Sequence, residues 1–211
     1  MKFLPIALPA ILLLASPAFA QTDSPSGSVA GDFQLRLRDL VVSPSPSANI
    51  QISGKNIGGI TKVTTSDVPE ADLSYFLTDN ISVEAIAAVT KHTVSNSVAG
   101  RVVSTELLPP TVTVQYQFDP NGAIRPYVGA GVNYTFFFDN SSPLSGMKLT
   151  NNFGWALQAG ADIPVNDGPY FLNMDVKKIF LSTTARAGGG TVFAPVRLDP
   201  WLFGVGAGLR F

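Results

Sequence analysis

The stretch that decides the fold is residues 198–211, LDPWLFGVGAGLRF. Side chains on a β-strand point alternately to opposite faces, so this stretch has one apolar face and one face made mostly of glycine. The apolar face carries Trp201, Phe203, Val205, Ala207, Leu209 and Phe211, and the other carries Leu202, Gly204, Gly206, Gly208 and Arg210. A soluble sheet gains little from glycines and an arginine on its water face. A strand of a small membrane barrel needs this layout, with bulky residues toward lipid and small residues toward a narrow interior.

The rest of the chain repeats this alternation. Seven further segments are predicted strands: residues 31–42, 71–78, 81–90, 111–118, 124–136, 152–163 and 170–180. Short turns connect some of them, and long polar segments, predicted as loops, follow the others at 43–67, 91–105, 137–151 and 182–196. Short turns on one rim and long loops on the other are typical of outer-membrane barrels. We therefore expect an all-β, eight-stranded antiparallel up-and-down transmembrane β-barrel, with both termini at the turn rim.

The first twenty residues predict a removable export signal rather than part of the fold. Lys2 gives a basic start, residues 3–14 are apolar, and residues 18–20 (AFA) form a small-x-small cleavage site. The apolar part is too short to span a bilayer as a helix. We expect a Sec signal peptide at residues 1–20, cleaved before Gln21, and a single barrel domain at 21–211 in the bacterial outer membrane.

Composition excludes several classes of function. The formal net charge of −1 gives no basic excess for nucleic acid, and the absence of cysteine removes disulfides and thiolate metal sites. The single histidine, His92, falls in a predicted loop near Ser95 and Ser97, where no fixed nucleophile–base pair is expected. The alternating glycines of the last strand lack the spacing and the following helix of a phosphate-binding motif. The sequence therefore predicts no enzyme, no cofactor and no metal.

The predicted inward faces carry nearly balanced charge. The bases are Arg36, Arg38, Arg125, Lys177 and Arg210, and the acids are Asp72, Glu84, Asp162 and Asp175. An eight-stranded barrel is only wide enough for side chains to fill it, and buried charges are costly unless they are paired. We expect a salt-bridged plug near the periplasmic end, built from these residues. An ion-selective pathway is the alternative.

Toward the loop rim, the inward residues are predicted to be less charged. They are Phe76, Ile86, Ala88, Thr111, Asn133 and Thr135. Phe76 and Ile86 either line a pocket for an apolar ligand or fill space.

Prolines interrupt the predicted wall at two places. Pro109 and Pro110 begin the fourth strand, and Pro44 and Pro46 follow the first; each removes a donor from the ladder. Unpaired backbone is expensive in lipid. One hypothesis is that the prolines weaken strand pairing in the wall and let an apolar solute leave sideways into the bilayer. The alternative is that they mark where the strands leave the membrane.

Several segments resemble the outer-membrane protein W (OmpW) family. They are LPPT at 108–111, RPYVGAGVNYT at 125–135, RLDPW at 197–201 and GLRF at 208–211, with TDNI at 78–81 and VE at 83–84. The resemblance implies an eight-stranded barrel whose narrow, unusually apolar lumen passes small hydrophobic molecules. It also implies a constriction between an aliphatic residue on the third strand and an aromatic residue on the seventh. Ile86 matches the former, whereas Lys177 stands where the aromatic residue is expected.

These observations give candidate residues and a function. Phe76, Ile86 and Lys177 are candidates for the ligand pathway, and Trp201 and Phe211 for barrel closure and the assembly signal. We expect a monomeric barrel that assists passive entry of small hydrophobic molecules, with outer-membrane lipid and the outer-membrane assembly machinery as further partners. One alternative is a structural or surface-recognition barrel whose loops contact phage, bacteriocin or host molecules. Another is a soluble periplasmic binding barrel with inverted faces.

Overall fold

The computed structural model describes residues 28–166 and 168–211, so the predicted export signal at 1–20 lies outside the described residues. The elements are β1 Phe33–Ser43, β2 Ser47–Ala48, β3 Gln51–Ile52, β4 Lys55–Asn56, β5 Thr61–Val63, β6 Ser66–Phe76, β7 Ile81–Ala88, β8 Thr90–Asn96, β9 Gly100–Leu108, β10 Thr111–Gln117, β11 Arg125–Ser141, β12 Lys148–Leu149, β13 Asn152–Pro164, β14 Tyr170–Phe180, β15 Ser182–Ala187, a 3-10 turn Gly188–Gly190, β16 Val192–Arg197 and β17 Trp201–Arg210. Within these two ranges, no helix is long and apolar enough to cross a bilayer.

Eight of these strands form a closed wall. Their order around it is β1, β6, β7, β10, β11, β13, β14 and β17, with every neighbour antiparallel, and β17 pairs back with β1. Leu37 lies opposite Ala207 across the pairing that closes the ring. Each of the eight predicted strands overlaps one strand of this wall. The prediction of an eight-stranded antiparallel β-barrel is confirmed.

The alternation places the apolar faces outside. In β17, Trp201 and Val205 are 44% and 57% exposed, whereas Leu202 between them is 5% exposed. Exposed aromatic residues form one band near the short turns and another toward the loops. The first includes Phe33, Tyr75, Tyr116, Phe118, Tyr170 and Phe211, and the second includes Phe136, Phe153, Trp155, Trp201 and Phe203. Two aromatic bands around an apolar belt are the surface of a transmembrane barrel.

Glycine is needed where the wall curves tightly around its contents. A Cβ at Gly206 would overlap the carbonyl oxygen of Leu37 and the backbone of Arg38. A Cβ at Gly131 would overlap the carbonyl oxygen of Val112 in the same way. Only glycine leaves room for the adjacent strand at these positions. The glycine face of the last strand therefore faces the crowded interior.

All four segments predicted as loops contain strand residues: 137–151 holds the end of β11 and β12, and the other three hold more. Residues 91–105 lie mainly in the β8–β9 hairpin, residues 182–196 in the β15–β16 hairpin, and residues 43–67 include β2 to β5. The prediction of loops there is wrong. These strands continue the barrel above the apolar belt, where the outer face meets water and becomes polar, so the apolar half of the alternation disappears.

Candidate functional site

A charged layer fills the turn-side part of the lumen. Arg36 is fully buried, and its guanidinium lies 3.2 Å from Asp72, 3.2 Å from Glu84 and 2.9 Å from Asp162. It also donates a hydrogen bond of 3.1 Å to the hydroxyl of Ser74. A guanidinium presents several donors in a fixed plane, so one arginine can hold three carboxylates.

Arg38 extends the layer by one inward position. Its Nη2 lies 2.7 Å from Glu70 and 2.6 Å from Asp72, and its Nη1 lies 3.6 Å from Asp175. Glu70 is absent from the sequence-predicted set because the second strand was predicted to begin at residue 71, whereas β6 begins at Ser66. Extending the alternation of β6 backward by one inward position finds it.

Lys177 joins the two sides of the lumen. Its ammonium lies 3.4 Å from a carboxylate oxygen of Glu70 on β6 and 3.8 Å from Asp175 on its own strand. The phenol of Tyr127 donates a 2.8 Å hydrogen bond to Asp175, and the amide of Asn173 donates one of 2.7 Å to Asp162. The polar groups at this level are therefore bonded to one another across the barrel.

Two of the predicted plug residues lie at the turn rim. Nε of Arg210 is 3.6 Å from Asp32, and its Nη1 donates a 3.0 Å hydrogen bond to the carbonyl of Pro120. Arg125 is partly exposed and sits opposite Asp162 in the pairing of β11 with β13. The structure thus places Arg210 outside the charged layer, because it lies at the very end of β17.

An apolar cavity lies above the charged layer, at the loop end of the barrel. It has a volume of about 80 Å³ and is partly open to solvent. Its wall includes Leu40, Val42, Val103, Ile179, Leu181 and Leu202, all of which belong to one buried apolar cluster. Ile86 also lines it, and Glu70 and Lys177 are the two charged side chains that reach it.

Phe76 is not at the loop rim, where the sequence placed it. β6 runs from the loops toward the short turn, so its last residue lies at the opposite end, paired with Ser82. Phe76 is buried there and does not line the cavity. This prediction is corrected: the direction of the strand, which the turn at 77–80 determines, puts Phe76 below the charged layer.

The wall beside the cavity is locally unpaired around Val89. The ladder between β6 and β7 ends at Glu70 opposite Ala88, and the ladder between β7 and β10 ends at Ile86 opposite Thr111. Pairing resumes only above, with Thr90 opposite Leu107 in the β8–β9 hairpin. Pro109 and Pro110 lie at this interruption and donate no hydrogen bond to the ladder.

His92 lies inside the barrel rather than in a solvated loop. It belongs to β8, is buried, and its Nδ1 is 2.6 Å from the carbonyl oxygen of Thr64. Burial lowers the pKa of the imidazole, and the hydrogen bond to Thr64 opposes that effect. The predicted loop position is wrong because inward alternation continues through Thr90, His92 and Val94. Across residues 28–166 and 168–211, no group of three His, Cys, Asp or Glu side chains is placed to hold a metal ion.

A short strap closes the turn rim. The carboxylate of Asp79 accepts hydrogen bonds from the hydroxyl of Ser28 (2.7 Å) and the backbone N–H groups of Val29 (2.8 Å) and Ala30 (3.1 Å). These bonds, with that of Ser28 the largest, lower the pKa of Asp79. Within the strap, the side chain of Val29 is buried. The strap therefore adds an apolar side chain to a rim that is otherwise polar.

The closing strand contributes two sequence-predicted residues at opposite ends. Trp201 faces outward near the loops, where the ammonium of Lys178 lies 4.9 Å from its ring centroid. Phe211 exchanges two backbone hydrogen bonds with Phe33, of 2.7 and 2.8 Å, and their rings stack with centroids 6.1 Å apart. These contacts join the last strand to the first. A role in assembly for the two residues stays a prediction.

A closed eight-stranded wall, two aromatic bands and a side-chain-filled lumen define a transmembrane barrel of the outer-membrane class. Within that class, the model of the OmpW family matches residues 29–211. The chain therefore belongs to the OmpW family of bacterial outer-membrane proteins. This confirms the resemblance, the outer-membrane location and the prediction that the chain is not an enzyme.

The comparisons with individual proteins agree. Outer membrane protein W of Escherichia coli (strain K12) is 36% identical over 223 residues, covering 100% of both chains. The dibenzothiophene metabolism operon protein PahQ of Pseudomonas aeruginosa is 31% identical, covering 95% of both chains. The crystal structure of OprG from Pseudomonas aeruginosa has a TM-score of 0.80 and 30% identity, covering 88% of this chain and 98% of that chain.

Proposed function

We propose that this outer-membrane barrel takes small apolar molecules into its loop-side cavity and assists their passive entry. The observation that carries the proposal is the apolar cavity itself, which lies within the loop-side part of the barrel and is partly open to solvent. An apolar molecule gains free energy by leaving water for such a space. The name of the relative PahQ supports this class of solute, since it refers to an operon of dibenzothiophene metabolism and dibenzothiophene is apolar.

The floor of the cavity argues for a sideways exit. A solute moving straight down the lumen meets the Glu70–Lys177 pair and then the carboxylates around Arg38 and Arg36. Separating a buried ion pair costs about 3–5 kcal/mol. An apolar solute forms no ion pair or hydrogen bond that could offset this cost. The unpaired wall at Val89 lies beside the same cavity, and the side chain of Val89 is half exposed on the outer face. We propose that the solute leaves there.

The entry step is tested by filling the cavity. Ala194 is buried and lines the cavity, whereas Ala159 faces outward on β13. Each variant is expressed in cells that lack the native protein, and uptake of radiolabelled octane is measured. Ala194→Trp is expected to reduce this uptake relative to the wild-type protein. Ala159→Trp, the matched control, is expected to retain it. Uptake of arabinose should be unaffected throughout. Octane uptake that is equal with and without the wild-type protein would overturn the proposal and favour the surface-recognition barrel.

The exit step is tested by locking the wall. The chain has no cysteine, and continuing the β6–β7 register places Pro69 opposite Val89. In the variant Pro69→Cys, Val89→Cys, formation of the disulfide is expected to block octane uptake. Reduction of the disulfide is expected to restore it. The control pair Leu73→Cys, Ala85→Cys bridges residues that are already paired, so oxidation there should change nothing. Equal uptake by the oxidised and reduced seam variant would exclude the sideways exit.

A further inference from the structure

One side chain in the cavity wall has an unmet hydrogen-bonding group. The third wall strand and its continuation present Glu84, Ile86, Ala88, Thr90 and His92 to the lumen in turn. Thr90 lines the cavity and is 2% exposed. Its hydroxyl oxygen has no hydrogen-bond partner among the described residues. A buried hydroxyl without a partner destabilises a fold, and such groups are rare in proteins.

The other threonines of the cavity differ from Thr90. The hydroxyl of Thr105 donates to the carbonyl of Phe138 (3.2 Å), that of Thr111 to Pro109 (3.0 Å) and that of Thr183 to Thr150 (2.8 Å), while the hydroxyl of Thr61 accepts from Asn96 (3.4 Å). The protein therefore satisfies each of these hydroxyls internally. Thr90 alone among these five presents an unsatisfied hydroxyl to the cavity.

The charges below the cavity restrict what can meet that hydroxyl. The charged layer contains three bases, Arg36, Arg38 and Lys177, and five acids, Glu70, Asp72, Glu84, Asp162 and Asp175. A ligand carboxylate would add another negative charge above this acidic excess. An ammonium group would lose its hydration and meet the Lys177 ammonium at the floor. A neutral polar group avoids both costs.

We infer that the cavity selects apolar molecules that carry one neutral oxygen function, a hydroxyl or a ketone, over plain hydrocarbons. The ligand oxygen hydrogen-bonds to the hydroxyl of Thr90, and the hydrocarbon chain packs against the apolar wall around Leu40 and Ile179. This inference rests on the proposed function and names the substrate class of the same cavity. Thr90 is then the residue that determines specificity, because a hydrocarbon leaves its hydroxyl unpaired.

The experiment compares two ligands of equal length. Radiolabelled decan-1-ol and n-decane are equilibrated with the wild-type barrel in lipid nanodiscs, and binding to empty nanodiscs is subtracted. Thr90→Val keeps the shape and removes the hydroxyl. It is expected to weaken binding of decan-1-ol by roughly 2- to 13-fold, the range for one hydrogen bond. Binding of n-decane should be unchanged or tighter.

The matched control is Thr183→Val. Thr183 also lines the cavity, but its hydroxyl is bonded within the protein, so the ratio of the two affinities is expected to stay that of the wild type. An unchanged ratio in Thr90→Val, with both ligands bound, would overturn this inference and leave the proposed function standing. If neither ligand binds the wild-type barrel above the level of empty nanodiscs, both this inference and the proposed function are overturned.

Discussion

Arg36 shows how one residue holds the charged layer. Its guanidinium contacts three carboxylates that belong to three different strands, β6, β7 and β13. All four side chains are buried, so the carboxylates have no water to replace a lost partner. Their mutual repulsion in a low-dielectric interior is therefore offset chiefly by arginine. The layer depends on charge pairing rather than on packing.

Arg36→Met is therefore expected to destabilise the barrel by about 3–5 kcal/mol, the cost of leaving a buried charge uncompensated. The measurement is the free energy of unfolding in urea with the protein in lipid vesicles. Arg197→Met serves as the control, because Arg197 forms an exposed ion pair with Asp199 at 3.3 Å and should change stability by about 1 kcal/mol or less. Equal effects of the two variants would show that the layer is not held by Arg36.

His92 makes stability at the loop end depend on pH. Burial lowers its pKa below the ordinary value of 6.5, so the unfolded chain binds the proton more readily than the folded one. Its contribution is complete above pH 6.5 and is lost as the pH falls from there through the folded pKa. We expect the wild type to lose more stability between pH 7.5 and pH 5.5 than His92→Gln. Identical pH profiles for the two proteins would contradict this.

At the scale of the element, the sequence predicted those strands whose outer face contacts lipid and is therefore apolar. β10 and β14 were predicted almost to the residue, because outward apolar and inward polar residues alternate throughout β10 and along most of β14, where Phe171, Lys178 and Ile179 depart from the pattern. β8, β9, β15 and β16 alternate too, but their outward residues include Lys91, Glu106 and Arg186, which resemble a loop in composition. The same limit hid His92, whose inward direction follows only from β8, a strand that was not recognised. Glu70 was missed because the predicted strand began one residue after it.

The strap at the turn rim is an element held by one side chain. Three hydrogen bonds to Asp79 fix residues 28–30. Because these bonds lower its pKa, the stabilisation is present above the unfolded pKa of the carboxyl group and is lost as pH falls through the folded value. Asp79→Ala is expected to speed hydrogen exchange at the amides of Val29 and Ala30 at neutral pH.

The control for that measurement is Asp119→Ala in the neighbouring short turn, which should leave these two amides protected. The amide of Gly31 is a second control within Asp79→Ala, because it donates to the carbonyl of Phe76 rather than to Asp79. Slow exchange at Val29 and Ala30 in Asp79→Ala would show that the strap is held by other contacts.

At the scale of the whole molecule, the lumen has two compartments with different origins in the sequence. The charged layer comes from inward positions of membrane-spanning strands, so its residues could be predicted from alternation and its pairing from the cost of buried charge. The apolar cavity takes much of its wall from β8, β9, β15 and β16, including Val103, Ala185 and Ala194. These residues were assigned to loops. Alternation therefore left open whether Ile86 lines an apolar pocket or fills space, and the apolar lumen was predicted through resemblance to a family.

The path to the membrane gives a prediction for the whole chain. Residues 18–20, AFA, satisfy the small-residue requirement of signal peptidase, and we propose that export removes residues 1–20. Protein from the outer-membrane fraction is expected to have the intact mass of residues 21–211. Ala20→Arg places a large charged residue at the cleavage point and should retain the full-length mass, whereas Gln21→Asn, just beyond it, should be processed normally. A wild-type protein recovered from that fraction at full-length mass would show that residues 1–20 remain attached to the barrel.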